Sequence, residues 1–354
     1  MPALWDNPIG TDGFEFVEYT APDVKALHAL FERMGFRAVA KHRSKEVTLF
    51  RQGQVNFVVN AEPSSHGSRF AQKHGPSACA MAFRVKDAGE AYKKLIAAGA
   101  KPFKNTVGPM ELNIPAIEGI GGSLIYLVDR YGDRTIYDVD FVPIAGIDQS
   151  AKGVGLASVD HLTHNVHRGR MTEWASFYEK LFNFREIRYF DIKGQKTGLT
   201  SRALTSPCGK IRIPINEPSD QGSQIQEYLD AYKGEGIQHI ALSCENIYET
   251  VESLRTKGVR FLDTPDTYYE RVDTRVPNHG EDLGRLKANR ILIDGEGIDK
   301  DHHEDKLLQI FTETVIGPIF FEIIQRKGNE GFGEGNFRAL FESIEADQIA
   351  RGVI

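Results

Sequence analysis

Two histidines and one glutamate in the C-terminal half of the chain have the residue types needed to hold a metal ion. His161 lies in SVDHLTHNV, His239 in GIQHIAL and Glu322 in VIGPIFFEIIQR. Two imidazole nitrogens and one carboxylate oxygen, with coordination positions left open, form the facial triad of non-haem Fe(II) oxygenases. Glu322 interrupts an apolar segment, where a buried carboxylate is costly unless a cation or a metal compensates its charge. The three residues therefore predict a metal centre with an open face for substrate and dioxygen.

Other histidines compete for the same role, and spacing alone leaves part of the choice open. His164 and His167 follow His161 closely. In a strand, His161 and His167 share one face, whereas His164 points to the opposite face. His302 and His303 lie in the wholly polar segment DKDHHEDK, which is typical of a solvated loop. Spacing alone therefore does not decide whether His161 or one of its two neighbours is the metal ligand. The polar surroundings argue against a metal site at His302 and His303.

The elements that must position these residues occur twice along the chain. Residues 87–99 (DAGEAYKKLIAAG) and 246–258 (NIYETVESLRTKG) each begin with a helix-capping residue and end with a glycine. Each segment follows an apolar strand pattern, ACAMAFRV or QHIALSCE, and precedes a predicted strand, AKPF or VRFL. A second pair of helices, ending in FERMGF and YEKLFNF, also follows a strand in each half. The sequence therefore predicts four strand–helix–strands modules, two in each half.

The two halves differ at the positions of the candidate metal ligands. Alignment on the helix caps and glycines matches the ligands with other residue types: His161 with Phe16, His239 with Ala80, and Glu322 with a position near Asp138. The polar segment DQSAKGVG (148–155) has the composition of a linker. We therefore expect a non-catalytic N-terminal domain at 1–150 and a catalytic metal-binding domain at 151–354.

Composition argues against several classes of protein. The chain has 354 residues, of which 41% are hydrophobic and 26% charged, with a net charge of −6. Its mild acidity argues against nucleic acid or a membrane surface as a partner. The three scattered cysteines argue against a disulfide framework and a thiolate zinc site. The segment MPALWDNPIG lacks signal-peptide features, and no apolar run is long enough for a membrane span. We expect a cytoplasmic protein.

A set of motifs in the C-terminal half resembles the 4-hydroxyphenylpyruvate dioxygenase family. The motifs occur in the order PINEP, SQIQ, GIQHIAL, LLQIFT, FFEIIQR and GFGEGNFRALFESIE. The resemblance implies an α+β vicinal-oxygen-chelate fold, with four βαβββ-type modules in two open-barrel domains and a C-terminal helix. It also implies one Fe(II) per chain, held by His161, His239 and Glu322.

The activity implied by this resemblance is the conversion of 4-hydroxyphenylpyruvate and O2 to homogentisate and CO2. The reaction combines oxidative decarboxylation, ring hydroxylation and side-chain migration, and it belongs to tyrosine and phenylalanine catabolism. Because the substrate carries its own 2-oxo acid, no separate 2-oxoglutarate is needed. The family also implies a homodimer or a homotetramer.

The resemblance further implies which side chains line the pocket. The polar side chains with implied catalytic roles are Ser201, Asn216, Gln238 and Gln309. The side chains implied to bind substrate are Gln224, Phe311, Phe332 and Phe337. Neutral amides can hydrogen-bond a phenol and a keto acid without adding a base. Strand alternation turns Gln238 away from its neighbour His239, so a twist or a β-bulge is needed to bring it into the pocket.

The end of the chain has the pattern of an amphipathic helix behind a glycine-rich segment. Phe337, Leu340, Phe341 and Ile344 recur at helical spacing after GFGEGN. We expect this helix to act as a lid that excludes water from the reaction. The alternative is a docked tail that only closes the core. Loss of turnover with retained Fe(II) binding after deletion beyond Gly335 is the result expected of a lid.

Three other functions share parts of this pattern. The alternative 4-hydroxymandelate synthase has the same triad and substrate but oxidises the benzylic carbon, whereas Asn216 and Phe337 match the dioxygenase pattern. Extradiol dioxygenases need an acid–base histidine near the metal, for which the sequence offers no convincing candidate. Binding modules like the bleomycin-resistance proteins lack the triad. Ring hydroxylation is therefore the predicted reaction.

Overall fold

The structure is a computed structural model that describes residues 3–108, 110–150, 152–193 and 198–336, together with residues 349 and 352. The described residues form two mixed β-sheets, each built from one half of the chain. Helices pack against both sheets. No helix among the described residues is long and apolar enough to cross a membrane.

The N-terminal sheet is formed by β1 (Thr11–Thr20), β2 (Arg37–His42), β3 (Val47–Gln52), β4 (Val55–Asn60), β5 (Ser77–Val85), β6 (Pro102–Phe103), β7 (Ala116–Glu118), β8 (Leu124–Val128) and β9 (Phe141–Pro143). The helices of this half are α1 (Lys25–Arg33), α2 (His66–His74), α3 (Ala88–Ala97) and α4 (Tyr137–Asp140), with a 3₁₀ turn at Ile120–Gly122.

The C-terminal sheet is formed by β10 (Leu156–Asn165), β11 (Arg185–Lys193), β12 (Gly198–Thr205), β13 (Arg212–Pro218), β14 (Gly236–Cys244), β15 (Leu292–Ile298), β16 (Glu304–Phe311) and β17 (Phe320–Lys327). The helices of this half are α5 (Met171–Phe182), α6 (Gln224–Tyr232), α7 (Ile247–Thr256), α8 (Asp266–Tyr269), α9 (Val272–Arg275) and α10 (Leu283–Asn289).

Strand order shows that the two sheets repeat one plan. The N-terminal order is β6-β7-β8-β5-β1-β4-β3-β2-β9, and the C-terminal order is β11-β12-β13-β10-β14-β17-β16-β15. In every module the first strand pairs in parallel with the last strand. The first strands of the two modules pair antiparallel at the centre of each sheet. The predicted α+β fold of four modules is therefore confirmed, with β9 as an additional edge strand.

The predicted helix ends agree with the structure. The side chain of Asp87 accepts a hydrogen bond from the backbone of Glu90 at the start of α3, and Asn246 caps α7 in the same way. Asn183 follows α5 in the left-handed region with a φ of 56°. This conformation is tolerated best by glycine and asparagine, which explains the sequence signal at helix ends.

The fourth module departs from the predicted pattern. The segment VRFL after α7 does not form one of the described strands, and Phe261 makes only an isolated bridge with Thr312. The short helices α8, α9 and α10 intervene before β15. Pro265 precedes α8 and Asp282 caps α10, so the local sequence favours new helix starts over an extended strand.

Strand register fixes which residues of the two halves are equivalent. In the C-terminal sheet, His239 lies opposite Thr163. In the N-terminal sheet, Ala80 lies opposite Glu18, so Ala80 is the counterpart of His239 and Phe16 that of His161.

The predicted match of Glu322 with a position near Asp138 is wrong. Glu322 pairs with Ala241, whereas Tyr126 pairs with Ala82, so Tyr126 is the counterpart of Glu322. Asp138 lies in α4 and accepts hydrogen bonds from Thr135. Matching by sequence distance fails here because the inserted helices of the fourth module change the spacing.

The two halves share apolar contacts. The rings of Phe57 and Phe321 stack with centroids 5.8 Å apart, and those of Phe83 and Phe182 meet edge to face at 5.3 Å. The predicted boundary at residue 150 lies between β9 and β10. The assignment of 1–150 and 151–354 to separate domains stays a prediction.

Candidate metal centre

The structure brings the three predicted metal ligands together. His161 Nε2 lies 3.1 Å from Glu322 Oε2, and His239 Nε2 lies 3.4 Å from the same oxygen. One ligand atom from each residue lies within 4.8 Å of the others, and all three side chains are buried. They stand on β10, β14 and β17, which are neighbours at the centre of the sheet. A ligand set of two nitrogens and one oxygen suits a divalent transition metal.

The electrostatics of the triad favour an anionic glutamate. Burial alone would raise the pKa of Glu322, but the charge of His161 and hydrogen bonds from both histidines lower it to about 2. Burial lowers the pKa of His239. For His161, burial acts in the same direction, but Glu322 and Asp160 raise the pKa overall. A buried carboxylate between two imidazoles needs a compensating cation, and a divalent metal meets that need.

A β-bulge precedes each ligand histidine. The pairing of β10 with β14 shifts by one residue at Asp160 and again at Gln238. Each bulged residue therefore turns toward the histidine that follows it, instead of pointing to the opposite face. Asp160 Oδ1 lies 2.8 Å from His161 Nδ1, and Gln238 Oε1 lies 3.0 Å from His239 Nδ1. The bulge expected at Gln238 is thus present, and each Nδ1 is held so that Nε2 faces Glu322.

Asp160 connects the centre to a partly buried arginine. Arg326 donates to both oxygens of Asp160 through Nε and Nη2, each at 2.8 Å. Burial would raise the pKa of Asp160, but Arg326 and His161 hold it well below its ordinary value. A carboxylate that accepts from a ligand histidine fixes the ring orientation and increases the basicity of the metal-binding nitrogen.

Gln309 holds the carboxylate ligand from the other side. Its Nε2 donates to Glu322 Oε1 at 3.0 Å, and its Oε1 accepts from Asn336 Nδ2 at 3.0 Å. Gly333 has a φ of 72°, and a Cβ atom there would collide with Gln309 Oε1. The glycine in GFGEGN is therefore required by the close approach of the backbone to Gln309.

Several buried polar atoms near Gln238 lack a hydrogen-bond partner among the described residues. They are Ser201 Oγ, Asn216 Oδ1 and both polar side-chain atoms of Asn165. Asn216 pairs with Ser201 on β12 and with Asn165 on β10, and its Nδ2 donates to Gln238 Oε1 at 3.4 Å. Buried polar groups are seldom left unpaired, so this cluster offers hydrogen bonds to a polar ligand.

Aromatic rings surround the imidazoles. Phe332 meets His161 edge to face, with centroids 5.4 Å apart. Phe311 lies 6.4 Å from His239, and Phe320 stacks on His239 at 4.8 Å. These buried rings keep the centre apolar on the sides that the polar residues leave open.

The remaining predicted residues have different outcomes. Gln224 is half-buried at the start of α6. Phe337 and the predicted helix over 337–345 lie outside the described residues. The described contacts involve only some of the predicted pocket residues. The following residues therefore keep predicted roles: Ser201, Asn216, Gln224, Gln238, Gln309, Phe311, Phe332 and Phe337.

The competing histidines are resolved by the structure. His164 is buried and its Nε2 lies 2.7 Å from the Tyr178 hydroxyl, so it belongs to the core. His167 is exposed beyond the end of β10. His303 is exposed, and Asp299 and Asp301, the acidic residues near it, are exposed as well.

Sequence reasoning missed Asp160, Arg326 and Phe320. Arg326 lies four residues after Glu322 on β17, and residues at even spacing share a strand face, so this signal was present in the sequence. Phe320 is two residues before Glu322 and offers the same signal. Asp160 directly precedes His161, and strand alternation hides it unless the bulge is known.

Comparisons with known proteins agree with this geometry. The model "Hydroxyphenylpyruvate dioxygenase, HPPD, N-terminal" matches residues 5–142, and "Glyoxalase/Bleomycin resistance protein/Dioxygenase superfamily" matches 158–272. A 4-hydroxyphenylpyruvate dioxygenase of Pseudomonas aeruginosa is 64% identical over 98% of this chain and 97% of the relative. Hemolysin VllY of Vibrio vulnificus is 62% identical over 98% of both chains. A mutant 4-hydroxymandelate synthase from Streptomyces coelicolor has a TM-score of 0.82 at 25% identity, over 96% of this chain and 99% of that one.

The fold and the three clustered ligand residues define the class of protein. The chain has the vicinal-oxygen-chelate fold of the glyoxalase and dioxygenase superfamily, with a metal-capable group of two histidines and one glutamate. Within this class, identities of 54–64% over nearly the whole length identify a narrower group. The chain belongs to the 4-hydroxyphenylpyruvate dioxygenase family.

Proposed function

We propose that the protein converts 4-hydroxyphenylpyruvate and O2 to homogentisate and CO2, a step of tyrosine and phenylalanine catabolism. The carboxyl group of the 2-oxo acid leaves as CO2, the side chain moves to the neighbouring ring carbon, and both atoms of O2 enter the product. The observation that carries this proposal is the buried group of His161, His239 and Glu322 in a chain of this family.

The metal of this proposal is Fe(II), one ion per chain, held by His161 Nε2, His239 Nε2 and Glu322. The donor set and the buried anionic carboxylate fit a divalent ion. When bound, Fe(II) supplies the activation of dioxygen and a place for the oxo-carboxylate of the substrate. The catalytic centre then belongs to a domain formed by residues 151–354, with residues 1–150 as the non-catalytic domain.

The protein contributes a fixed ligand arrangement. Asp160 accepts from Nδ1 of His161, so the proton of this ring stays on Nδ1 and Nε2 is free for the metal. Gln309 donates to Glu322 Oε1, which leaves Oε2 facing both histidines. These contacts keep the three donor atoms on one side of an open position.

The pocket residues have distinct tasks in this proposal. Ser201, Asn216 and Gln224 receive the phenol end, while Gln238 and Gln309 lie nearer the metal and dioxygen. The unpaired Ser201 Oγ and Asn216 Oδ1 support the first assignment, because a phenol hydroxyl can both donate and accept there.

The aromatic part of the pocket holds the ring. In this proposal Phe311, Phe332 and Phe337 form the walls that bind the substrate ring and exclude water. Burial of Phe311 and Phe332 beside His239 and His161 supports this assignment. We further propose that the protein is located in the cytoplasm and forms a homodimer or a homotetramer.

Product analysis tests the proposed reaction. The protein is loaded with Fe(II) without oxygen, then mixed with 4-hydroxyphenylpyruvate and O2, and the products are identified by chromatography and mass spectrometry. The proposal predicts homogentisate and CO2 in equal amounts. Formation of 4-hydroxymandelate contradicts ring hydroxylation but keeps the metal centre, whereas failure to consume O2 contradicts the proposed enzyme.

A further inference from the structure

The N-terminal sheet borders a partly open cavity at the place where the C-terminal sheet holds the metal-capable group. The cavity has a volume of about 150 Å³, and both Phe16 and Tyr126 line it. By strand register, these residues are the counterparts of His161 and Glu322. Neither ring is a metal ligand of the triad type. The cavity therefore suits an organic molecule better than a metal ion.

The polar group of this cavity is the carboxyl group of Glu18. Glu18 is 6% exposed and lines the cavity from β1. Its Oε1 accepts from Asn60 Nδ2 at 2.7 Å and lies 3.7 Å from Cys79 Sγ. Within the described residues, no hydrogen-bond donor reaches its Oε2. Burial raises the pKa of Glu18, and the contacts with Asn60, Cys79 and Lys45 offset only part of this effect.

The walls of the cavity are mainly apolar and aromatic. The rings of Phe16 and Tyr126 pack with centroids 5.6 Å apart, and Val58 and Phe141 contribute further apolar surface. An apolar cavity of about this size accepts a benzene-sized molecule. The size and the aromatic walls therefore select a single small ring.

A segment between β6 and β7 lines the mouth of the cavity. Lys45 Nζ forms an ion pair with Glu111 Oε2 at 2.7 Å and donates to Thr106 O at 3.1 Å. Glu111 also accepts from the backbone of Gly108 at 2.5 Å. Lys45 remains 29% exposed in its side chain, so this contact lies at the boundary between the cavity and solvent.

We propose that the N-terminal cavity is a binding site for a small, neutral aromatic molecule of phenol size that donates a hydrogen bond to Glu18 Oε2. Phe16 and Tyr126 enclose the ring, and Glu18 selects molecules with a donor over pure hydrocarbons. This site is separate from the metal centre and does not depend on the proposed reaction.

Fluorine NMR with two matched probes tests this site on the full-length protein. The probes are 4-fluorophenol, which has a hydroxyl donor, and fluorobenzene, which lacks one. A hydrogen bond to a buried carboxyl group predicts about tenfold tighter binding of 4-fluorophenol. Glu18→Leu removes the acceptor and is expected to abolish this preference while both probes still bind.

A cavity-filling variant separates this site from binding at the metal centre. Val58→Phe places a larger side chain in the cavity. It is expected to abolish the binding of 4-fluorophenol that Glu18→Leu weakens. Val142→Phe makes the same change at a half-exposed position on β9 and is expected to leave binding unchanged. Far-ultraviolet circular dichroism and product formation check that the variants are folded.

Three results would overturn the proposal. Binding of 4-fluorophenol that is equal in the wild type and in folded Val58→Phe places the probe elsewhere. The proposal also fails if the wild type binds neither probe at millimolar concentration, or if Glu18→Leu retains the tenfold preference.

Discussion

The two sheets of this protein share a backbone plan but carry different chemistry at equivalent positions. Both central strand pairs contain three register shifts, and two of them are at Asp160 and Gln238 in the C-terminal sheet and at Glu15 and Cys79 in the N-terminal sheet. The bulges are therefore a property of the fold. The residues beside them differ, because Phe16 and Ala80 stand where the C-terminal sheet has the two histidines of its metal-capable group. A metal centre thus needs the ligand side chains in addition to the bulged backbone.

The residues at the bulges also make different contacts in the two sheets. Asp160 and Gln238 each accept from Nδ1 of the histidine that follows. Glu15 occupies the position of Asp160, but it forms a 2.5 Å ion pair with Arg84. Both acidic residues thus pair with an arginine, and Asp160 additionally accepts from a histidine of the metal-capable group.

The largest expected effect comes from removing the carboxylate ligand. Glu322→Gln keeps the size of the side chain but removes its charge, so we expect metal affinity and homogentisate formation to fall by at least about 100-fold. Metal content by mass spectrometry and product yield measure the effect. Asp138→Asn is the matched control in the N-terminal half and is expected to change neither quantity. Retained metal in Glu322→Gln would refute the assigned ligand.

A smaller effect is expected from the residue that orients His161. Asp160→Asn removes the negative charge that His161 and Arg326 share, which predicts about 10- to 100-fold weaker metal binding. Glu15→Gln alters the equivalent bulge of the N-terminal sheet and is expected to leave metal affinity unchanged. Metal titration of the two variants checks this difference, and equal losses in both would argue for a general structural effect.

The effect of acid on the free energy of unfolding is expected to depend on a buried histidine of the C-terminal half, His164. Burial lowers the pKa of His164 to about 3 from an ordinary value of 6.5. Between these values the unfolded chain binds more protons than the folded chain, so the free energy of unfolding falls as pH falls. At pH 5 this difference amounts to about 2 kcal/mol.

The counterpart of His164 in the N-terminal sheet is the buried Tyr19, which provides a control. His164→Phe is expected to reduce the loss of stability between pH 7 and pH 5, whereas Tyr19→Phe leaves that loss unchanged. Urea unfolding at the two pH values measures both variants. An unaltered pH dependence in His164→Phe would show that other groups determine the acid sensitivity.

The smallest effect is expected at the ring that stacks on His239. Phe320→Leu introduces the residue that the N-terminal sheet has at the equivalent position, Leu124. Loss of an aromatic contact of about 0.5–1.5 kcal/mol predicts roughly 2- to 10-fold weaker metal binding. Calorimetric metal titration checks the result. A complete loss of the metal would mean that Phe320 supports the fold of β17 more than the orientation of His239.

The sequence predicts the modules well because its helix signals are local. Asp87 and Asn246 cap their helices by contacts within a few residues, and such signals do not depend on the rest of the fold. Glu322 is predicted by its burial cost in an apolar strand. The choice between His161, His164 and His167 needs the strand register, which the structure supplies.

Other features depend on long-range pairing and escape sequence reasoning. Tyr126 is hidden as the counterpart of Glu322 because three helices are inserted before β15 in one half. Asp160 is hidden because its bulge reverses the expected strand alternation. The cavity beside Glu18 is invisible in the sequence, since it depends on residues from several strands.

If His161, His239 and Glu322 hold the metal and the N-terminal sheet has no equivalent site, a single Fe(II) ion binds to each chain. Anomalous diffraction at the iron edge, from crystals grown with Fe(II) without oxygen, locates the ion directly. We expect one peak per chain, within bonding distance of His161 Nε2, His239 Nε2 and a Glu322 carboxylate oxygen. A peak beside Glu18 or at the exposed Asp299 and His303, or no peak at all, would contradict this assignment.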